Sequence, residues 1–167
     1  DGQSVAGYLA EPASAASAPG IVVIQEWWGL NDQIKGVADK LVVGYFEAEA
    51  FHADTDLRGC RPKIVTSIAM FYDLENPNKF VSDVKGVMDP EGLWIVQMSY
   101  LPLMLKTNEF GNICHEHLEY YSLTSFEYLM DRHGFDVVDV ELNDVNGGSI
   151  RAYIRNRNAD PSRFADA

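Results

Sequence analysis

His115, Glu116 and His117 stand side by side in the stretch NICHEHLEYYS, residues 112–122. The chain has four histidines in all, so two of them flanking a carboxylate concentrate its proton-transfer chemistry in one place. Histidine is the side chain whose ordinary pKa lies closest to neutrality, which suits it to take or give a proton, and a neighbouring carboxylate can orient it. Metal binding is the competing use. The i, i+2 spacing of His115 and His117 suits a strand or loop and not the helical i, i+4 zinc pattern, and no third ligand is evident, Cys114 being too close in sequence. That spacing disfavours a metal, so no metal site is expected, and the residues leave acid–base work open. The bland alternative is a segment that caps a sheet, with its histidines hydrogen-bonded or partly exposed.

A pair of proton-transfer groups needs elements to hold it. GIVVIQE (20–26), KIVTSIAMF (63–71) and LWIVQMSY (93–100) are continuous apolar, β-rich runs, the mark of strands buried on both faces of a parallel sheet. SVAGYLAEP reads as a short edge strand ending at Pro12, and an Ala/Ser-rich loop follows over 13–18. Helices are expected in WWGLNDQIKGVADKLV, in NPNKFVSDVKGVMDPEG with Phe80, Val81, Val84 and Val87 as its apolar face, and in SLTSFEYLMDRHG. Ser125 or Thr124 is the expected N-cap of the last, and Gly134 its C′ residue. Residues 42–51 fit either a strand or a helix. FDVVDVELNDVNGGSIRAYIRNR alternates and breaks at NDVNGG, so it reads as a β-hairpin, and the tail from residue 158 as frayed. The pattern predicts a single α/β domain over residues 1–167. It is a three-layer sandwich with a mostly parallel, doubly wound sheet of Rossmann-like or flavodoxin-like character, closed by an antiparallel hairpin.

Composition narrows the partners. The net charge of −12 would repel a phosphate backbone and an anionic membrane, so neither nucleic acid nor a membrane is expected as a partner. The longest apolar runs are far too short to cross a bilayer, and no basic-then-apolar segment opens the chain, so a cytoplasmic protein is expected. Cys60 and Cys114 belong to no CxxC pair, which excludes a zinc ribbon. A Cys60–Cys114 disulfide and two free thiols both fit, and the reduced form is the simpler.

Two segments carry family resemblances. Residues 1–41, with DGQSVAGYLAEP and the fairly specific QEWWGLN, resemble the opening strands and first helix of dienelactone hydrolases, which are α/β-hydrolases. In that family the glutamate matching Glu26 lies beside a catalytic cysteine. Residues 42–167 resemble the C-terminal half of S-adenosylmethionine-dependent C-methyltransferases that act on nucleotide-linked keto-deoxysugars. The matching runs are KIVTSIAMFYDLENPNKFV, GLWIVQMSYLPLMLKTNEFGNICHEHLEYYSLTS and HGFDVVDVELNDVNGGSIRAYI. This second resemblance implies that His117 removes a proton next to the sugar ketone and that Glu116 orients or polarises it. His115 is a weaker candidate, and Cys114 stands where the family has a tyrosine.

Neither family's machinery is complete in the sequence. No GxGxG or GxGxxG loop follows a strand, and GIVVIQE runs into WWGLN. No GxSxG or GxCxG elbow is present, and Cys60 is followed two residues later by Pro62. The expectation is therefore an engineered or chimeric scaffold with a seam near residues 40–44 and no complete active site. On it, His115, Glu116, His117 and Glu26 are inherited remnants, with no cofactor and no small-molecule substrate. The sheet edge left uncovered by such a fusion favours pairing with a second copy as a homodimer. Two enzymatic alternatives stay open: a residual C-methyltransferase, with S-adenosylmethionine as its cofactor, and a residual esterase or lactonase.

Overall fold

The computed structural model describes residues 6–10, 21–25, 40–42, 46–54, 57–160 and 162. The small-residue loop at 13–18, Glu26, the body of the helix expected after it and the end of the tail lie outside these residues.

Seven strands form one mixed sheet: β1 (Ala6–Ala10), β2 (Ile21–Gln25), β3 (Lys40–Val42), β4 (Ile64–Ile68), β5 (Leu93–Ser99), β6 (Phe135–Asn143) and β7 (Ser149–Asn156), in the order β3-β1-β2-β4-β5-β7-β6. Parallel pairing occupies the centre, where Val23 faces Thr66 and Thr66 faces Ile95. β1 pairs antiparallel with both β2 and β3, and β7 with both β5 and β6. The expected α/β, Rossmann-like class is what the chain adopts. β1 is an internal strand and not the edge that Pro12 suggested. The edge is β3, in residues expected to end a helix.

Four helices are described: α1 (Ala48–Ala53), α2 (Pro77–Val87), α3 (Leu101–Thr107) and α4 (Leu123–Arg132). Of the ambiguous 42–51 stretch, Val42 ends β3 and residues 48–51 are helical in α1, which buries Phe51; residues 43–45 lie outside the described residues. α2 begins where Asn76 accepts from the Lys79 N–H at 3.0 Å with Pro77 in its first turn, and it buries Phe80, Val81, Val84 and Val87 as the spacing predicts. α4 is capped by Ser122 and not by Ser125 or Thr124. Ser122 Oγ accepts from the Ser125 N–H at 3.2 Å and Ser125 Oγ from the Ser122 N–H at 3.0 Å, a reciprocal box that makes Ser125 the third residue of the helix. Gly134 follows with φ +69, the left-handed C′ position.

The core is aromatic. Trp94, Phe71, Phe126 and Phe135 are fully buried, and the Trp94 indole donates to the buried Ser67 hydroxyl at 3.0 Å. Cys60 and Cys114 are not joined in a disulfide. No described helix is long and apolar enough to cross a membrane.

Candidate active site

In open α/β sheets, ligands bind beyond the carboxyl ends of the parallel strands. β4 leaves its end through Ala69, which has φ +53 and whose N–H donates to the Gln97 carbonyl of β5 at 2.9 Å. A left-handed alanine costs about 1–2 kcal/mol. The next residues explain why it persists, since Met70 and Phe71 are fully buried. The Phe71 ring meets Tyr121 and Phe126 at 5.4 Å, Phe80 at 5.9 Å and Trp94 at 6.0 Å. The 3-10 turn Phe71–Asp73 is thereby pinned to the core, and with it Tyr72.

The loop between α3 and α4 is laid across that turn. The Leu118 and Glu119 N–H groups both donate to the Tyr72 carbonyl, at 2.9 and 3.0 Å. The His117 ring lies on the Tyr72 ring with centroids 4.2 Å apart. His117 Nδ1 is 2.7 Å from the backbone carbonyl of Asn112. A carbonyl can only accept, so Nδ1 carries the proton in the neutral ring, and Nε2 presents its lone pair. Nε2 has no hydrogen-bond partner among the described residues. The ring is therefore half-buried, fixed in tautomer and basic at its free nitrogen.

Glu116 sits differently from what its neighbour suggests. Its exposed carboxylate is 3.2 Å from Nε2 of His115, whose side chain is 89% exposed. It is held below the usual carboxylate range first by a hydrogen bond from its own backbone N–H, then by the Cys114 thiol, with the two histidines adding an attractive field. His115, Glu116 and His117 are thus adjacent, but the hydrogen bond that orients His117 comes from Asn112. Tyr120 joins the same group, donating to the Asn112 carbonyl at 3.3 Å, while Tyr121 and Phe126 are buried in the core. Among the described residues no three His, Cys, Asp or Glu side chains gather as a metal site.

Ser99, the last residue of β5, completes this edge of the sheet. It is 92% buried (8% exposed), and its hydroxyl has no hydrogen-bond partner among the described residues. The other buried serines are satisfied: Ser67 by Trp94, and Ser149 by donating to the Val145 carbonyl at 2.7 Å. A buried hydroxyl left alone costs about 1–3 kcal/mol, so the Ser99 hydroxyl has a hydrogen bond to offer at this strand end. Tyr72, Asn112 and Ser99 were not singled out in the sequence. Only their neighbourhood, at the ends of two buried strands and beside the HEH stretch, pointed to them.

The family model described as a methyltransferase domain matches residues 5–140. The C-methyltransferase NovU of Streptomyces niveus is 37% identical over 98 residues, which are 59% of this chain and 23% of that protein. The chain thus spans under a quarter of that relative's length. Among solved structures, the mitomycin 7-O-methyltransferase MmcR has a TM-score of 0.52 at 13% identity, covering 74% of this chain and 36% of that one. A chain from the complex of the Haloferax volcanii Trm112 methyltransferase activator with a methyltransferase has a TM-score of 0.50 at 11% identity, covering 60% and 56%. These two likenesses bear on the fold alone. The family match overturns the expectation of a scaffold without catalysis. It runs across residues 40–44, where a seam was expected, and takes in most of the stretch that resembles a hydrolase. The missing glycine pattern had weighed too heavily, because a single loop motif is a narrower signal than a match over most of the chain.

Proposed function

This chain belongs to the methyltransferase-domain family, and on that premise we propose that it serves an S-adenosylmethionine-dependent C-methylation of a nucleotide-linked keto-deoxysugar, with His117 as the general base. The observation that carries the reading is the hydrogen bond from His117 Nδ1 to the Asn112 carbonyl, which leaves Nε2 as a fixed, unprotonated acceptor at the carboxyl edge of the sheet. The identity to a C-methyltransferase supports carbon as the atom methylated.

The described residues fit part of the cofactor. The orphaned Ser99 hydroxyl offers one buried hydrogen bond at the carboxyl end of β5, and the sharp turn at Ala69 opens the end of β4 beside it. The sequence after β2 reads EWWGLN in place of a glycine-rich loop, so the hold rests more heavily on β4 and β5. When bound, S-adenosylmethionine supplies an electrophilic methyl group.

The chain's own work is proton transfer. Nε2 of His117 takes the proton from the carbon next to the sugar ketone. The C–H electron pair moves into the enolate; S-adenosylmethionine, when bound, would supply the methyl group to that carbon, the methyl–sulfur bond breaking and its electron pair staying on sulfur as the neutral thioether. The imidazolium that results is stabilised on its Nδ1–H side by the Asn112 carbonyl, and through space by the Glu116 carboxylate. Tyr72 keeps the ring from swinging away. Calorimetric titration with S-adenosylmethionine tests the cofactor part. Saturable binding at micromolar concentration is expected, weakened by Ser99→Ala. No heat of binding up to millimolar ligand would sink it.

A further inference from the structure

We propose that Asn112 is the positioning residue of the base, and that it transmits to His117 the placement of the β6–β7 turn; this rests on reading His117 as the base. Residues 111 and 113–116 are exposed, so packing does little to fix the loop that carries the ring. One side-chain hydrogen bond joins residues 110–116 to another element among the described residues. It runs from Asn112 Nδ2 to the Asn146 carbonyl at 2.7 Å. The backbone carbonyl of the same Asn112 accepts from His117 Nδ1 at 2.7 Å. A single residue therefore grips the turn with its side chain and selects the histidine tautomer with its backbone.

The other end of the tie is rigid. Asn146, Gly147 and Gly148 have φ of +52, +76 and +127, a crown that the Asn-Gly-Gly sequence permits and few others would. It is fastened from below. The Tyr100 N–H donates to the Gly148 carbonyl at 3.1 Å, and Ser149 Oγ to the Val145 carbonyl at 2.7 Å. Tyr100 follows Ser99 directly at the end of β5, so base, turn and the orphaned hydroxyl are referenced to one strand end. Losing the side-chain tie frees the Asn112 carbonyl to drift. The imidazole then loses its preference for Nδ1–H, and part of the population presents a proton where the lone pair should be.

The test is nitrogen-15 NMR of the His117 ring at neutral pH in the ligand-free chain, comparing the native protein with Asn112→Ala and with Asn112→Asp, which keeps the size but cannot donate. The native ring is expected in the Nδ1–H tautomer, and both variants in a mixture, with circular dichroism unchanged. Exchange of the substrate's acidic proton should fall about 10- to 100-fold in kcat with KM held. A native ring in the Nδ1–H form that stays so in both variants would overturn the positioning role and leave the base standing. Full proton exchange by His117→Gln would instead overturn the base, and the positioning role with it.

Discussion

The His117 imidazole rests on the Tyr72 ring with centroids 4.2 Å apart and planes inclined by 48°. Tyr72 is almost fully buried in the turn that leaves β4, so one face of the proposed base rests on the core while the Asn112 carbonyl of its own loop holds Nδ1. Tyr72→Leu keeps an apolar side chain but removes the facing ring. The expected outcome is a loss of about 0.5–1.5 kcal/mol of ring contact, beyond any packing loss, together with a fall in kcat. Chemical denaturation measures the first and proton exchange the second.

His115 and His117 should separate cleanly under substitution. His117→Gln is expected to lower turnover about 100-fold or more, the usual worth of a general base. His115→Ala should stay near the native rate, because that ring is 89% exposed and its one ion pair among the described residues is with Glu116. Equal losses from both would mean that the pair acts as a unit.

Ser99→Ala is expected to leave stability unchanged or to raise it by up to about 1–3 kcal/mol, because it removes a buried hydroxyl without a partner among the described residues. The same variant should bind S-adenosylmethionine more weakly. A destabilised Ser99→Ala would show that the hydroxyl already has a structural task.

Lys85 fastens α2 to the end of α4. Its ammonium donates to the carbonyls of His133 and of Gly134, the latter at 2.8 Å, and lies 4.8 Å from the Phe135 ring. Burial, and then Arg157, pull its pKa below the usual lysine value. Lys85→Met is expected to cost about 1–3 kcal/mol, the range for a hydrogen bond to a charged group, read as a shift in urea midpoint. No shift would make the contact ornamental.

His133 gives a pH dependence. His133 is the C-cap of α4, where the helix dipole alone would favour its charged form. The opposite holds: burial, then the charges of Arg132 and Lys85, push its pKa below the usual 6.5. Its ring is held neutral between Ser82 Oγ at 3.1 Å and Asn78 Oδ1 at 3.0 Å. Below pH 6.5 the unfolded chain takes up a proton that the native chain resists, so this contribution is complete above that pH and is lost as pH falls through the native pKa. Stability from urea titrations should drop between pH 7 and 5, less so in His133→Gln. An identical slope in the variant would remove His133 as a cause.

Much of the frame was legible because it rests on local pattern. β2, β4 and β5 are apolar runs bounded by turn residues, and the buried face of α2 follows helical spacing. α3 was missed. Its signals are Pro102 in the first turn, inside the apolar run YLPLML, and Asn108 as a left-handed cap with φ +55, beyond that run. β3 was missed because a three-residue strand has too little sequence to show a period, and its place beside β1 is a long-range pairing. The HEH stretch was legible as chemistry, but the partner of His117 was not. Asn112 acts through its backbone carbonyl, and a carbonyl has no sequence signature.

The most direct measurement is solvent deuterium exchange into the carbon next to the ketone of a nucleotide-linked keto-deoxysugar, followed by proton NMR with no methyl donor present. The account predicts exchange well above the uncatalysed rate in the native chain and lost in His117→Gln. Native exchange no faster than solvent, or exchange undiminished in His117→Gln, would contradict it.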